Sequence, residues 1–296
     1  MSDVLNIKNL SKSYGHIKAL DNLNLTVEKG NVYGLLGPNG SGKTTTLGII
    51  LSILKADSGN FEWFEGKYGA NPRKHIGAIL ETPNFYPFKS GIDNLKIIAA
   101  IKNVNDFDYD EVMKLVNLEQ RKDSKFRTYS LGMKQRLAIA ATMIGNPEVV
   151  IFDEPTNGLD PQGIAEVRNI LKRVADSGRT VLMASHILDE VEKICSHVAI
   201  IKNGKLLATG KIGELLSNDY YIEINSTNNE KLMDLAKSLN FIKAIEHHND
   251  YMIWTIDNNV KSEQLTEILQ KNDISLNHFL VRKQRLEDEF LKITSK

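Results

Sequence analysis

Apolar and polar positions alternate in some stretches of the chain and form unbroken apolar runs in others. Alternation at residues 23–27 and 60–66 predicts half-buried antiparallel strands. Nearly unbroken apolar runs at residues 32–36, 149–152 and 180–185 predict strands that are buried on both faces, as in a parallel sheet covered by helices. The first two-thirds of the chain is therefore predicted to be an α/β fold, with a parallel core sheet and an antiparallel β subdomain.

Helical spacing dominates the part of the chain between the first and second of these buried runs. Residues 92–101 and 109–118 are predicted helices, and a longer helix is predicted to begin after Ser130. Ser90 and Ser130 stand where an N-cap is expected, because a hydroxyl oxygen can accept a hydrogen bond from the first helical turn. These elements predict a helical subdomain at about residues 84–146.

The pattern changes near residue 219, where strands and helices follow in the order β-α-β-β-α-β. This order is typical of a split βαβ, or ferredoxin-like, α+β sandwich. A short helix at residues 286–293 is predicted to end the chain. We therefore predict two domains, residues 1–217 and residues 218–296.

Composition excludes several functional classes. The 296 residues include 37 acidic and 37 basic side chains, so no global charge favours nucleic acid, and no nucleic-acid partner is expected. Cys195 is the only cysteine, which fits a reducing compartment. The sequence shows neither an apolar run of about 20 residues nor a basic N-terminal leader before an apolar core. A cytosolic location is the expectation.

The strongest chemical signal follows the first buried strand, where glycines lead directly into a helix. A strand, a G-x-x-x-x-G-K-T sequence and a helix form a phosphate-binding loop, in which glycines bring backbone N–H groups close to an anion. Lys43 would add positive charge for the β- and γ-phosphates, and Thr44 a hydroxyl ligand for Mg²⁺. The predicted nucleotide-binding residues of this loop are Gly37, Asn39, Gly40, Ser41, Gly42, Lys43, Thr44 and Thr45.

Two acidic residues end the second buried strand. Acids at this position are costly to bury without a nearby cation, so Asp153 is predicted to face Mg²⁺ and Glu154 to orient or deprotonate a water. His186 ends the third buried run, and the carboxyl ends of parallel strands lie at one edge of a sheet. The alternative for the acids is that they are solvated strand-end side chains. From physics alone, Ser130 could equally be only a helix cap. Tyr14, which is predicted to lie in the loop between the first two strands, could equally be only a half-buried tyrosine.

These motifs, in this order, resemble the ATP-binding subunit of an ABC transporter over residues 5–216. The resemblance implies ATP and Mg²⁺ as cofactors and catalytic roles for Lys43, Glu154 and His186. It also implies a nucleotide bound between two head-to-tail subunits, with identical copies as the expected pair. Further site residues that it implies are Tyr14 for adenine stacking, Ser130 and Gly132 for the γ-phosphate of the opposite subunit, and Asp160 for coupling the two sites.

Two departures from the usual family pattern point to a particular subfamily. The signature reads Tyr-Ser-Leu-Gly-Met at residues 129–133, and Glu81 stands where the family has a glutamine that contacts Mg²⁺. Both variants, and the ending at residues 286–291, are similar to bacitracin-resistance and lantibiotic self-immunity exporters. The implied function is ATP-driven export of a peptide antibiotic or another drug through a separate membrane permease. That partner would hold the chain at the inner face of the cell membrane.

Glu81 has two open interpretations. A carboxylate offers only acceptors and a negative charge, so near the γ-phosphate it would act together with Mg²⁺ or Lys43. Alternatively, it faces the permease and binds a basic group there.

A soluble ABC-type ATPase acting on ribosomes or nucleic acid is the competing hypothesis. Such relatives carry two ATPase modules or a long coiled-coil insertion, whereas this chain has one phosphate loop and no heptad run. The resemblance therefore favours transport. A ligand-sensing role for the residues from Asp219 onward stays open.

Overall fold

The computed structural model describes residues 2–80, 84–216, 219–248, 250–257 and 262–294. Glu81 lies outside these residues. The strands are β1 (Asp3–Tyr14), β2 (Ile17–Glu28), β3 (Val32–Leu36), β4 (Ser58–Trp63), β5 (Ile76–Ile79), β6 (Val149–Asp153), β7 (Thr180–Ser185), β8 (His197–Lys202), β9 (Lys205–Lys211), β10 (Tyr220–Ser226), β11 (Ile242–His247), β12 (Met252–Ile256) and β13 (Leu276–Lys283). The helices are α1 (Lys43–Ile50), α2 (Gly91–Ile101), α3 (Tyr109–Leu115), α4 (Leu131–Thr142), α5 (Pro161–Asp176), α6 (Leu188–Ile194), α7 (Ile212–Leu215), α8 (Asn229–Ser238), α9 (Ser262–Lys271) and α10 (Leu286–Thr294).

Internal contacts divide the chain into two compact units. The first contains the described residues up to Ile212 together with the end of the chain from Ile293, and the second runs from Gly213 to Lys292. The domain boundaries 1–217 and 218–296 stay predictions.

A six-stranded sheet in the order β5-β6-β7-β3-β8-β9 forms the centre of the first unit. Neighbouring strands are parallel except for the antiparallel pair β8 and β9. Every residue of β3, β6 and β7 is buried, as the unbroken apolar runs predict. The α/β fold class is therefore confirmed, and the carboxyl ends of these three strands lie at one edge of the sheet.

The antiparallel β subdomain is a three-stranded sheet in the order β2-β1-β4. Two details differ from the sequence-based expectation. The strand predicted at residues 60–66 ends at Trp63, because Phe64 and Glu65 adopt positive φ angles of 55° and 51° and turn the chain. Tyr14, which was expected in the loop between the first two strands, is the last residue of β1 and pairs with Ile17.

The caps predicted for the helical segment are confirmed. Ser90 Oγ accepts a hydrogen bond from Asp93 N at 3.1 Å, and Ser130 Oγ accepts one from Met133 N at 3.3 Å. The helix predicted over residues 109–118 ends at Leu115. Asn117 has a φ of 54°, and this left-handed conformation ends the α-helical path.

The second unit contains an antiparallel sheet in the order β11-β12-β10-β13. The side chains of Ile222, Trp254 and Leu265 belong to its buried apolar core. The predicted β-α-β-β-α-β order is confirmed, and the strand order is that of a split βαβ sandwich.

A buried ion pair joins α5 to α6. Arg168 donates from Nη2 to Glu190 Oε1 at 2.7 Å and from Nε to Oε2 at 3.1 Å, and the Glu190 side chain is only 4% exposed. The helix α5 begins directly after Asp160, and α6 begins two residues after His186. The pair therefore joins two helices, each of which follows closely after a residue of the predicted site.

We expect Arg168→Ala to lower the free energy of unfolding by about 3 kcal/mol, because it leaves the Glu190 carboxylate buried without its cation. Urea denaturation of the purified variant measures this loss. The matched control is the double variant Arg168→Met with Glu190→Leu, which removes both charges and should recover most of the stability. If Arg168→Ala lowered the free energy of unfolding by less than about 1 kcal/mol, the pair would behave like a solvent-exposed ion pair, which contributes little to stability.

Candidate functional site

The predicted chemical residues meet at the carboxyl edge of the central sheet. Gly37 follows β3, Asp153 and Glu154 stand at the end of β6, and His186 follows β7. Because β6 and β3 both pair with β7 in parallel, their ends are neighbours. The structure therefore brings the phosphate loop, the acids and the histidine together.

The phosphate loop has a conformation that requires glycine. Gly40 and Gly42 have φ angles of 78° and 111°. A Cβ atom on Gly37 would lie 2.2 Å from Ile201 O, and one on Gly42 would lie 2.5 Å from Ala19 O. Among the described residues, no side chain caps the start of α1 at Gly42. Its first N–H groups therefore remain available to an anion, as in phosphate-binding loops.

Lys43 lies beneath this loop. Its side chain is 6% exposed, and Nζ donates to Gly37 O at 2.8 Å and to Pro38 O at 3.3 Å. The same Nζ lies 3.6 Å from Glu154 Oε1. The loop carbonyls thus fix the ammonium group at the edge where the backbone N–H groups would receive phosphate.

Thr44 and Asp153 bring a hydroxyl and a carboxylate together at this edge. Thr44 Oγ1 donates to Asp153 Oδ2 at 2.8 Å, and Asp153 is 5% exposed. A hydroxyl and a carboxylate are hard oxygen donors, which Mg²⁺ prefers when phosphate oxygens and water complete its coordination. These two residues therefore fit the predicted metal at this position.

Glu154 connects the lysine to the histidine. One carboxylate oxygen faces Lys43, and the other, Oε2, lies 2.8 Å from His186 Nδ1. The backbone at Glu154 has a φ of 49°, and its N–H donates to Ala184 O at 3.0 Å. A carboxylate only accepts hydrogen bonds, so Nδ1 carries the proton in this contact when Glu154 is ionised. The arrangement can orient a water and accept its proton.

The remaining residues of the loop have distinct positions. Asn39 and Gly40 are exposed at its outer turn, and Thr45 is half-buried on α1. Ser41 is buried, and its Oγ finds no hydrogen-bond partner within the described ranges. A ligand oxygen is the partner that such a hydroxyl would need.

Ser130, Gly132 and Asp160 line a separate cavity of about 480 Å³ between the starts of α4 and α5. Asp160 Oδ1 accepts a hydrogen bond from Gly163 N at 2.8 Å and caps α5, as Ser130 caps α4. The cavity also contains Arg136 and Glu166, whose Nη1 and Oε2 atoms are 3.4 Å apart. Sequence analysis missed this pair, because its two residues lie on different helices and carry no motif.

Tyr14 and Cys195 differ in their exposure to solvent. Tyr14 is 47% exposed at the end of β1, so its ring is accessible. Cys195 is buried, and this burial raises the pKa of its thiol and makes it unreactive.

The fold and this edge of the sheet define an ATP-binding cassette. The crystal structure of the ADP conformation of an ATP-binding cassette from an ABC transporter aligns with a TM-score of 0.64 and 27% identity, covering 72% of this chain and 93% of that one. CbiO1 of Clostridium perfringens, part of an ABC transporter complex, aligns with a TM-score of 0.64 and 28% identity, covering 73% and 91%. The family model described as ABC transporter matches residues 20–157, and that of an uncharacterised family, UPF0228, matches residues 213–295.

Curated relatives extend the likeness to the whole chain. The bacitracin transport ATP-binding protein of Bacillus licheniformis is 36% identical, covering 99% of this chain and 98% of its own length. The lantibiotic transport ATP-binding protein SrtF of Streptococcus pyogenes is 37% identical, covering 74% of this chain and 99% of its own length. The chain therefore belongs to the ABC transporter ATP-binding proteins and is an ATPase subunit that binds nucleotide and hydrolyses ATP for transport. None of the helices in the described ranges is long and apolar enough to cross a membrane.

Proposed function

We propose that the chain powers export of a peptide antibiotic such as bacitracin or a lantibiotic, or of another drug, through a separate membrane permease. The supporting observation is the 36% identity with a bacitracin transport ATP-binding protein along 99% of this chain, which includes the second unit. Transport relatives of this kind favour the permease-dependent role over a soluble ATPase acting on ribosomes or nucleic acid. The permease would keep the chain at the inner face of the cell membrane.

The site residues have separate roles in this proposal. Lys43 and the loop N–H groups bind the β- and γ-phosphates, and Thr44 and Asp153 would hold Mg²⁺, with Glu81 as a further predicted ligand. Mg²⁺ bound there would supply positive charge to neutralise the phosphate oxygens. Glu154 orients the attacking water and accepts its proton, while the hydrogen bond from His186 to Oε2 fixes the carboxylate.

The cavity with Ser130, Gly132 and Asp160 would receive the nucleotide of a second, identical subunit bound head to tail. Ser130 caps the N-terminus of α4, and that helix end carries partial positive charge. A γ-phosphate from the partner suits such a position. Asp160 caps α5 in the same cavity, and in this proposal it couples one nucleotide to the other.

Two experiments test the transport proposal. A tagged chain, purified from its host after mild solubilisation of membranes, should bring with it an integral membrane protein. A host that carries only the Lys43→Ala variant should become more sensitive to bacitracin or to a lantibiotic, whereas a host with the exposed-lysine variant Lys8→Met should not. Recovery of ribosomal or nucleic-acid partners in place of a membrane protein would support the soluble alternative.

A further inference from the structure

The end of the β1–β2 hairpin lies close to the phosphate loop. Tyr14 pairs with Ile17, and Ala19, two residues further along β2, places its carbonyl oxygen 2.5 Å from where a Cβ atom of Gly42 would be. Two strand residues span about 7 Å. The exposed ring of Tyr14 is therefore within reach of a base whose phosphates lie on the loop.

One face of the Tyr14 ring lies near a lysine. Lys12 is two residues earlier on β1, and the pairing of β1 with β2 shifts register between Lys12 and Ser13. Its Nζ is 5.5 Å from the ring centroid, and the Lys12 side chain is only 18% exposed. The opposite ring face is the one left for a ligand.

Asp57 fixes this arrangement from the start of β4. Its Oδ1 accepts a hydrogen bond from Lys12 Nζ at 2.8 Å, and its Oδ2 accepts one from Ser13 N at 2.7 Å. The hydrogen bond from Lys12 is the main reason that the pKa of the Asp57 carboxyl is below its usual range. Asp57 thus binds both the ammonium group of Lys12 and the backbone N–H of Ser13, the residue next to Tyr14.

We propose that Lys12 is a positioning residue for nucleotide binding, which acts through the Tyr14 ring and is itself held by Asp57. This inference rests on the proposed stacking role of Tyr14. An ammonium group near one ring face attracts its π electrons and restricts the side chain to one orientation. A ring that is already ordered loses less conformational entropy when a purine stacks on the other face.

Two probes separate ring positioning from simple charge attraction. ATP carries base and phosphates, whereas inorganic triphosphate carries the phosphates alone. We expect Tyr14→Leu to weaken ATP binding by about tenfold or more, and Lys12→Met to weaken it by about threefold. Neither change should alter triphosphate binding. Asp57→Asn, which keeps an acceptor for Ser13 but loses the charge, should resemble Lys12→Met, and Lys8→Met on the same strand is the matched control.

Isothermal titration of the full-length chain with both probes measures these affinities, and the double variant Lys12→Met with Tyr14→Leu completes a cycle. The inference predicts that the double variant binds ATP no more weakly than Tyr14→Leu alone. If Lys12→Met lost affinity for ATP and for triphosphate equally, Lys12 would act by general charge attraction, and the inference would be wrong. The inference would also be wrong if Lys12→Met bound ATP normally while Tyr14→Leu bound it more weakly. An unaffected Tyr14→Leu variant would instead remove the stacking role on which the inference rests.

Discussion

Replacing Lys43 by alanine is expected to abolish ATP hydrolysis and to weaken nucleotide binding. The substitution removes the ammonium group that Gly37 O and Pro38 O fix at 2.8 and 3.3 Å. Loss of one preorganised group that stabilises developing charge lowers turnover by at least about 100-fold. Initial rates of phosphate release, measured together with the affinity for ATP, give both effects.

Lys43→Arg sharpens this test. The Lys43 side chain is 6% exposed beneath the loop, so the planar and bulkier guanidinium group cannot take the same place. We expect Lys43→Arg to be nearly as inactive as Lys43→Ala although it keeps the positive charge. Lys8→Ala, on an exposed part of β1, is the control for a lost lysine. Near-normal turnover in Lys43→Ala would contradict the assignment of the phosphate loop.

Glu154→Gln should separate binding from catalysis. Glutamine has almost the same shape, but it cannot accept the proton of the attacking water. We expect turnover to fall by about 10²–10⁴-fold while ATP binding is retained. Steady-state hydrolysis measures the fall in turnover, and an equilibrium binding measurement on the same preparation shows whether ATP binding is retained.

Glu148→Gln is the matched control, because Glu148 directly precedes β6 and lies at the opposite end of the strand from Glu154. Its carboxylate pairs with Lys29 at 3.0 Å, far along the strand from the phosphate loop. We expect only a small change in turnover. A Glu154→Gln protein that hydrolyses ATP as fast as Glu148→Gln would remove Glu154 from the mechanism.

The central sheet was predictable because its inner strands are apolar along most of their length. Residues 32–36, 149–152 and 180–185 are buried, as their apolar pattern predicts. Chain reversals were less predictable. Asn117 ends α3 early, and Phe64 with Glu65 ends β4 early, through positive φ angles that no local composition requires.

The residues of the site could be predicted from the sequence, but the contacts between their side chains could not. Motif spacing places the phosphate loop, Asp153, Glu154 and His186 at strand ends, since parallel strands end at a common edge. That one carboxylate of Glu154 contacts both Lys43 and His186 depends on the fold. Pairs between distant elements, such as Arg168 with Glu190, leave no pattern in the sequence.

We propose that each nucleotide is enclosed by two copies of this chain, with Ser130 reaching the γ-phosphate bound to the other copy. Light scattering of Glu154→Gln with ATP and Mg²⁺ tests it most directly, because uncleaved ATP should hold the subunits together. We predict twice the mass of the chain for Glu154→Gln, and the mass of one chain when Ser130→Arg is added to it, with ATP binding to the monomer unchanged. A single-chain mass for Glu154→Gln under all nucleotide conditions, or a dimer that forms regardless of Ser130→Arg, would contradict the claim.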